Sequence, residues 1–416
     1  RLSNAFGRTN RLNMPICTAR RPQLRDYDPN GCELHMRTIV LGASNMWFPL
    51  ILSAIAIPQS ISELISIIEE NWAVLRQITS QDVLTAFRAI GHIPARMSNY
   101  SDEDILRVIQ EKNRADAEET EQEITSLDLK LPEWEAFSNP EPSHNTNEFH
   151  LVEEPVGNRY SRWIEKVVLV KRLREVQALI GFTRVDSYGE YLEEREALVE
   201  IPMAPITRGE PTWVPANDVR GEGIFIQFKE AAIQSWLEKE HVRDRNLEFF
   251  NSHKKWRKAH YIEDVESGFP GMRYILLHSF SHALMRQFSL ECGYSAASLR
   301  ERIYSRPESP DSPPMAGILI YTSATDSDGT LGGLVSLGDE QTLQRHIKQA
   351  LESAQYCASD PLCAEREPSP DGQTIHAAAC HACLFAPETA CERGNKYLDR
   401  SCLVQTVEHG EFSFFG

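Results

Sequence analysis

From residue 271 onward, apolar side chains recur at three- and four-residue intervals: Tyr274, Leu277, Phe280, Leu284, Met285 and Phe288, with the pattern stopping at Gly293. This spacing predicts a long buried helix with a glycine at its C-terminal end. Ser295 then reads as the N-cap of a shorter helix through Ile303. The run AGILIYTS, 316–323, has strand length and no charge, and is followed by the turn-rich SDGTLGGL and a helix over 340–355. Strand, glycine turn and helix in succession point to an α/β arrangement.

Upstream, GIFIQF, 223–228, reads as a short buried strand, and 231–260 as one or two helices in which Trp236 and Trp256 are packing anchors. Residues 138–160 are rich in Pro, Asn, Ser and Glu without period and read as a loop or linker. Nearer the start, Pro58 ends an apolar stretch, and Ser60 caps a helix carrying Ile61, Leu64, Ile65, Ile68, Trp72 and Leu75. A second helix covers 81–90. Ser101 and Asp104 resemble a capping box opening a third, whose acidic end, 115–123, belongs at the surface. The expected fold class is mixed α/β, without repeats, in four parts. These are an N-terminal segment, 1–58; a helical insertion, 59–145; a mixed α/β middle region, 146–265; and a cysteine-rich C-terminal domain, 266–416, with long helices and a small sheet.

Composition changes this picture in three ways. With 416 residues and 41% hydrophobic content, the chain has material for about two to four domains with real cores. The longest apolar run, 46–57, includes Pro49 and is shorter than the roughly 20 residues of a membrane span, so no membrane crossing is expected. The sequence opens on Arg1 rather than Met, which reads as a fragment or joined pieces whose targeting signal would not be visible. The net charge of −17, from 60 acidic and 43 basic residues, argues against wholesale wrapping of nucleic acid. Two local basic segments remain, 166–184 with Lys171, Arg172, Arg174 and Arg184, and HKKWRKAH with Lys254, Lys255 and Arg257. Each reads as a solvated helix face or as a nucleic-acid contact.

The cysteines carry the strongest chemical signal. There are nine, an odd number, and five fall between 357 and 391, which fits thiolate metal ligation in a reducing cytoplasm better than a disulfide framework. Cys380 and Cys383 form the pair CHAC, with Cys391 beyond it and Cys357 and Cys363 before it. Five thiols compete for four places around a structural zinc ion, a closed shell with no open position for water. A redox CxxC or an iron–sulfur cluster fits this set less well, and His376 or His381 is a weaker replacement for a thiolate. Cys17 and Cys32, with His35 nearby, read as half of an N-terminal zinc ribbon, whereas Cys292 and Cys402 read as packed thiols.

His278 and His282 stand four apart in HSFSH, on one helix face. A metalloprotease needs glutamate after the first histidine, and Ser279 stands there, so two core histidines bonded to backbone carbonyls are expected. No G-x-x-x-x-G-K-[ST] phosphate loop exists, the SAT of Ser323, Ala324 and Thr325 means little without one, and Gly332 and Gly333 form a close-approach turn. No catalytic set emerges, and the chain is not expected to be an enzyme.

Several long motifs carry a family resemblance: RYILLHSFSHALMRQFSLECGYSAASLRERIY, GILIYTSATDSDGTLGGLVSLG, and CASDPLCAE followed by AACHACLFAPETACERGNKYLDR. Together these resemble the cysteine-rich domain that follows the motor core of MrfA-type superfamily-two helicases. ICTARRPQL with GASNMWFPLILSAIAIP, and VKRLREVQALIGFTR with VRGEGIFIQF, resemble its stand-alone version, the DrmB family of the DISARM anti-phage defence system. The resemblance covers most of the chain apart from 60–145. It implies a zinc-binding, non-catalytic accessory subunit that pairs with a separate helicase, DrmA, and reaches DNA mainly through that complex. It also implies that Cys380, Cys383 and Cys391 fall on the family's zinc cysteines, that the segment with Cys357 and Cys363 completes them, and that Cys17 and Cys32 form a further pair. Two rivals are a metal-dependent nuclease or hydrolase using His278, His282 and an acidic residue, and the C-terminal part of a single-chain helicase.

Overall fold

The computed structural model describes residues 13–33, 35–36, 48–57, 67–100, 102, 105–106, 108–110, 112–113, 129–142, 145–183, 203–209, 211–259, 262, 264–309, 313–322, 332–368 and 374–416. A small hairpin, β1 (Arg20–Arg21) with β2 (Asp26–Tyr27), precedes β3 (Phe48–Ile55). Helices α1 (Trp72–Leu75), α2 (Gln81–Ala89) and α3 (Lys130–Ser138) follow, then β4 (His150–Glu154), β5 (Ile164–Thr183), β6 (Ala204–Pro205) and β7 (Ala216–Phe228). The last part holds α4 (Glu230–Leu237), α5 (Glu240–Ala259), α6 (Gly271–Cys292), β8 (Leu299–Arg306), β9 (Met315–Thr322) and α7 (Glu340–Ala354). The capping box at Ser101, the acidic stretch 115–123, Ser60 and the SAT run lie outside the described residues.

Seven strands form one sheet, ordered β3–β5–β7–β9–β8, with β4 and β6 also on β5. All the pairings are antiparallel. The sheet therefore joins the middle region to the cysteine-rich part. Strand alternation sends its side chains to two cores. Ile224, Ile226, Ile318 and Ile320 pack on α6 and the C-terminal residues, while Phe225, Leu319 and Tyr321 face Trp134 and Phe137 of α3. A third cluster, including Ile68, Leu75, Leu84 and Ile109, serves the helices of 67–113 alone.

Helix α6 is buried almost all round, ends at Gly293 with φ 72°, and lies as the sequence predicts. Three expectations are corrected. The helix expected over 295–303 gives way to strand β8, because Leu299 and Ile303 face one core while Arg302 and Tyr304 between and beyond them are buried on the other side, and 299–306 pairs with β9 throughout. The basic segment 166–184 is no helix face: its VVLV run is buried in β5, between β7 on one edge and β4 and β3 on the other. The linker 138–160 contains β4, which completes that edge.

A buried polar network ties α3 to the sheet. Arg302 donates from Nε to Glu133 Oε2 at 2.6 Å and from Nη2 to the Ser53 carbonyl at 2.7 Å. Tyr304 donates to Glu133 Oε2 at 2.9 Å, and the Ile55 N–H donates to Glu133 Oε1 at 3.0 Å. Both charges are almost wholly buried, and Arg302 also lies 3.8 Å from the Glu175 carboxylate, so the group depends on its mutual pairing for solvation.

Backbone approach is closest at Gly221, where a Cβ would lie 2.0 Å from the carbonyl oxygen of Thr322. A strand carbonyl cannot rotate away as a side chain can. Gly221→Ala is expected to lower stability by about 2 kcal/mol, within the usual range for overpacking. A denaturation midpoint equal to that of the parent protein would contradict this.

Candidate metal centre

Two short turns bring four thiols together beyond α7. In CASDPLC, the Asp360 carboxylate accepts from the backbone N–H of Cys357 at 2.7 Å and of Ala364 at 3.2 Å, and the Cys363 N–H donates to the Ser359 carbonyl at 3.1 Å. In CHAC, the N–H groups of Cys383 and Leu384 donate to the Cys380 carbonyl at 3.1 and 3.0 Å. Both turns aim their sulfurs inward. The Sγ separations are 3.4 Å for Cys357–Cys380, 3.7 Å for Cys363–Cys383 and 3.7 Å for Cys380–Cys383. All four sulfurs lie within 4.8 Å of one another.

This geometry fits zinc. Zn–S bonds of about 2.3 Å in a tetrahedron put the sulfurs about 3.8 Å apart. Contacts of 3.4–3.7 Å are far too long for disulfides and close to that edge length. N–H groups also support the sulfurs: Ser359 donates to Cys357 at 3.4 Å and Cys380 to Cys383 at 3.3 Å. Arg400, with no exposure, donates to the carbonyls of Ala354 and Gln355 at 2.8 and 3.0 Å and pairs with Asp360. Its positive charge lies against the thiolate set. A hydrogen bond from Cys383, opposed by burial and aided by Arg400, lowers the pKa of the Cys363 thiol, which favours the thiolate form that ligates a metal.

Cys391, placed by resemblance with Cys380 and Cys383, stands apart from this cluster. The turn at 387–390 carries the chain away, and the Cys391 sulfur reaches His278 Nε2 at 3.1 Å on α6. His282 and Glu301 complete a second, fully buried group. Both histidines meet backbone carbonyls as expected, His278 Nδ1 at Tyr397 O (3.3 Å) and His282 Nδ1 at Leu384 O (2.8 Å). Burial lowers the basicity of His278, but the charges of Glu301 and Cys391 outweigh it and raise the pKa to about 9.

Comparison with known proteins bears on the first cluster. Residues 280–384 match the family described as MZB, the MrfA Zn-binding domain, a stretch containing Cys357, Cys363, Cys380 and Cys383 and ending before Cys391. The DISARM protein DrmB of Bacillus paralicheniformis is 33% identical over 412 residues, which covers 96% of this chain and 69% of that relative. The chain belongs to the DrmB family. With the thiolate geometry and the domain match, its cofactor is structural zinc.

The remaining expected site residues of this DrmB-family chain are more scattered. Cys17 and Cys32 are half-buried in segments held together by the Ile16–His35 bridge, and among the described residues no set of three donor atoms forms around them. Cys402 is fully buried with its thiol donating to the Asp399 carbonyl at 2.8 Å, and Trp236 and Trp256 sit in the core. Lys171 and Arg172 are exposed on β5. Arg174 is already paired with Asp218 at 2.9 Å and Glu148 at 3.3 Å. Lys254 lies 3.5 Å from Glu266, Lys255 is exposed, and Arg184 lies outside the described residues. Arg257 is corrected from the nucleic-acid face to the interior: it is 5% exposed and donates to the Asp264 carbonyl and the Ser267 hydroxyl. Among the described residues, no helix is long and apolar enough to cross a membrane.

Proposed function

We propose that this chain is a non-catalytic, zinc-stabilised accessory subunit of a DNA helicase or translocase complex in cytoplasmic anti-phage defence. In this reading Cys357, Cys363, Cys380 and Cys383 hold the ion. The observation that carries the reading is the closed four-thiolate cluster inside an MrfA-type zinc-binding stretch of a DrmB-family chain. A shell of four protein sulfurs leaves no site for a reactive water, so the metal's contribution is folding energy. The partner is a helicase resembling DrmA, and the chain braces that motor and helps it engage DNA.

Charge assigns the roles within such a complex. A chain of net charge −17 gains little from duplex phosphates on its own, and its acidic surface favours encounter with a partner's basic patches. Lys171 and Arg172 form a local exception on the exposed side of β5. Lys171→Glu with Arg172→Glu is expected to leave co-purification with the helicase intact. It should weaken DNA binding by the complex and reduce its salt slope by about 2, near one unit for each phosphate that is no longer neutralised. If affinity and slope stay at the parent values, this face is only solvated surface.

A further inference from the structure

We infer that His278, His282, Glu301 and Cys391 form a second zinc site, closed and structural, that fastens the C-terminal cysteine loop to α6 and β8. The four residues come from three distant places. The histidines sit one turn apart on α6, Glu301 faces them from β8, and Cys391 ends the turn that leaves the first cluster. All four are buried, and their donor atoms lie within 4.8 Å of one another.

Donor geometry points to a cation between them. Each Nδ1 is turned to a backbone carbonyl, which as acceptor requires Nδ1–H and leaves the Nε2 lone pair of a neutral ring facing inward. Those inward nitrogens converge on a carboxylate oxygen and a sulfur: His278 Nε2 lies 3.0 Å from Glu301 Oε1 and 3.1 Å from Cys391 Sγ, and His282 Nε2 lies 3.2 Å from Glu301 Oε1. Without a cation, relief needs either protonated rings beside a carboxylate and a thiolate, buried charges each costing several kcal/mol of desolvation, or a neutral carboxyl and a weakly donating thiol turned to the two nitrogens. One divalent ion achieves the same with neutral rings, because its two charges balance one carboxylate and one thiolate.

Three further features match a metal shell. Bonds of about 2.0–2.3 Å give tetrahedral edges of about 3.3–3.8 Å, which the observed contacts approach with small relaxation. The histidine–carbonyl bonds are the outer support that zinc-binding imidazoles use to fix ring orientation. The Asn395 N–H donates to Cys391 Sγ at 3.2 Å, and Glu301 Oε2 is buried without a hydrogen-bond partner among the described residues. With two nitrogens, one sulfur and one carboxylate, the donor set suits zinc and fills a tetrahedral shell, so the role is structural.

Two measurements on the full-length chain test this. An anomalous-difference map at the zinc edge of the wild-type protein should show a peak within bonding distance of His278 Nε2, His282 Nε2, Glu301 and Cys391 Sγ, in addition to the peak at the four-thiolate cluster. Zinc content measured on Cys391→Ser should fall by one equivalent from the parent value while the four-thiolate peak persists. A map with zinc at the thiolate cluster and no scatterer among these four side chains overturns the inference. So does a folded Cys391→Ser protein with undiminished zinc. If that variant fails to fold, the wild-type map alone decides.

Discussion

Cys383→Ser is expected to empty the four-thiolate zinc site and unfold the C-terminal lobe. Structural zinc supplies about 10–16 kcal/mol of apparent binding energy in zinc-finger peptides, as large as the whole net stability of a typical domain, about 5–15 kcal/mol. The serine hydroxyl is a poor replacement for a thiolate, and the damage spreads because Cys363 and Cys383 share one core with Tyr397, Leu398, Leu403, Phe412 and Phe414. Zinc analysis and a melting curve check this: the variant should lack the ion at this cluster and lose its cooperative transition, whereas full zinc and an unchanged Tm would contradict the assignment. Cys402→Ser is the control. That thiol donates to the Asp399 carbonyl at 2.8 Å and lies 4.0 Å from the Ile275 carbonyl, bonds a serine hydroxyl can replace, so its stability should change by about 1 kcal/mol or less.

Glu133→Ala should cost about 3–5 kcal/mol, the scale for removing one partner of a buried ion pair. The substitution leaves buried Arg302 with only the more distant Glu175 carboxylate, 3.8 Å away, and takes acceptors from Tyr304 and the Ile55 N–H. Most of that cost is the stranded charge. The double variant Glu133→Leu with Arg302→Met should therefore be more stable than Glu133→Ala, although it lacks the pair altogether. Urea denaturation of both proteins tests the argument, and a single variant within about 1 kcal/mol of the parent would show that water reaches Arg302 there.

The elements legible in the sequence are those whose partners lie nearby in the chain. Helix α6, strand β9 and helix α7 follow local periodicity, and CHAC is a local turn that aims two sulfurs at one point. Strand β8 escapes such a reading because LRERIYSR places charged residues where a buried strand normally has apolar ones. Glu301 is tolerated inside because His278 and His282 face it from the preceding helix and the Glu392 N–H donates to it. The same charge pattern hides Glu301 as a site residue. The histidine pair itself is visible at its four-residue spacing. On β5 the charges of VKRLREV resemble a helix surface, although Arg174 is neutralised by Asp218 across the sheet. Spacing alone leaves five cysteines competing for one shell. The chain path through 387–390 separates Cys391 from the rest, and Arg400 approaches the thiolates from a segment carrying no metal-binding motif.

The central functional claim is that this chain assists a motor and does no chemistry of its own. DNA-dependent ATP hydrolysis should be measured for the purified chain, for a DrmA-like helicase, and for their stoichiometric mixture. The chain alone should hydrolyse no ATP and leave DNA intact, and the mixture should form a stable complex whose hydrolysis saturates at lower DNA concentration than that of the helicase alone. ATP hydrolysis or DNA cleavage by the chain alone, or a mixture indistinguishable from the helicase by itself, would contradict the account.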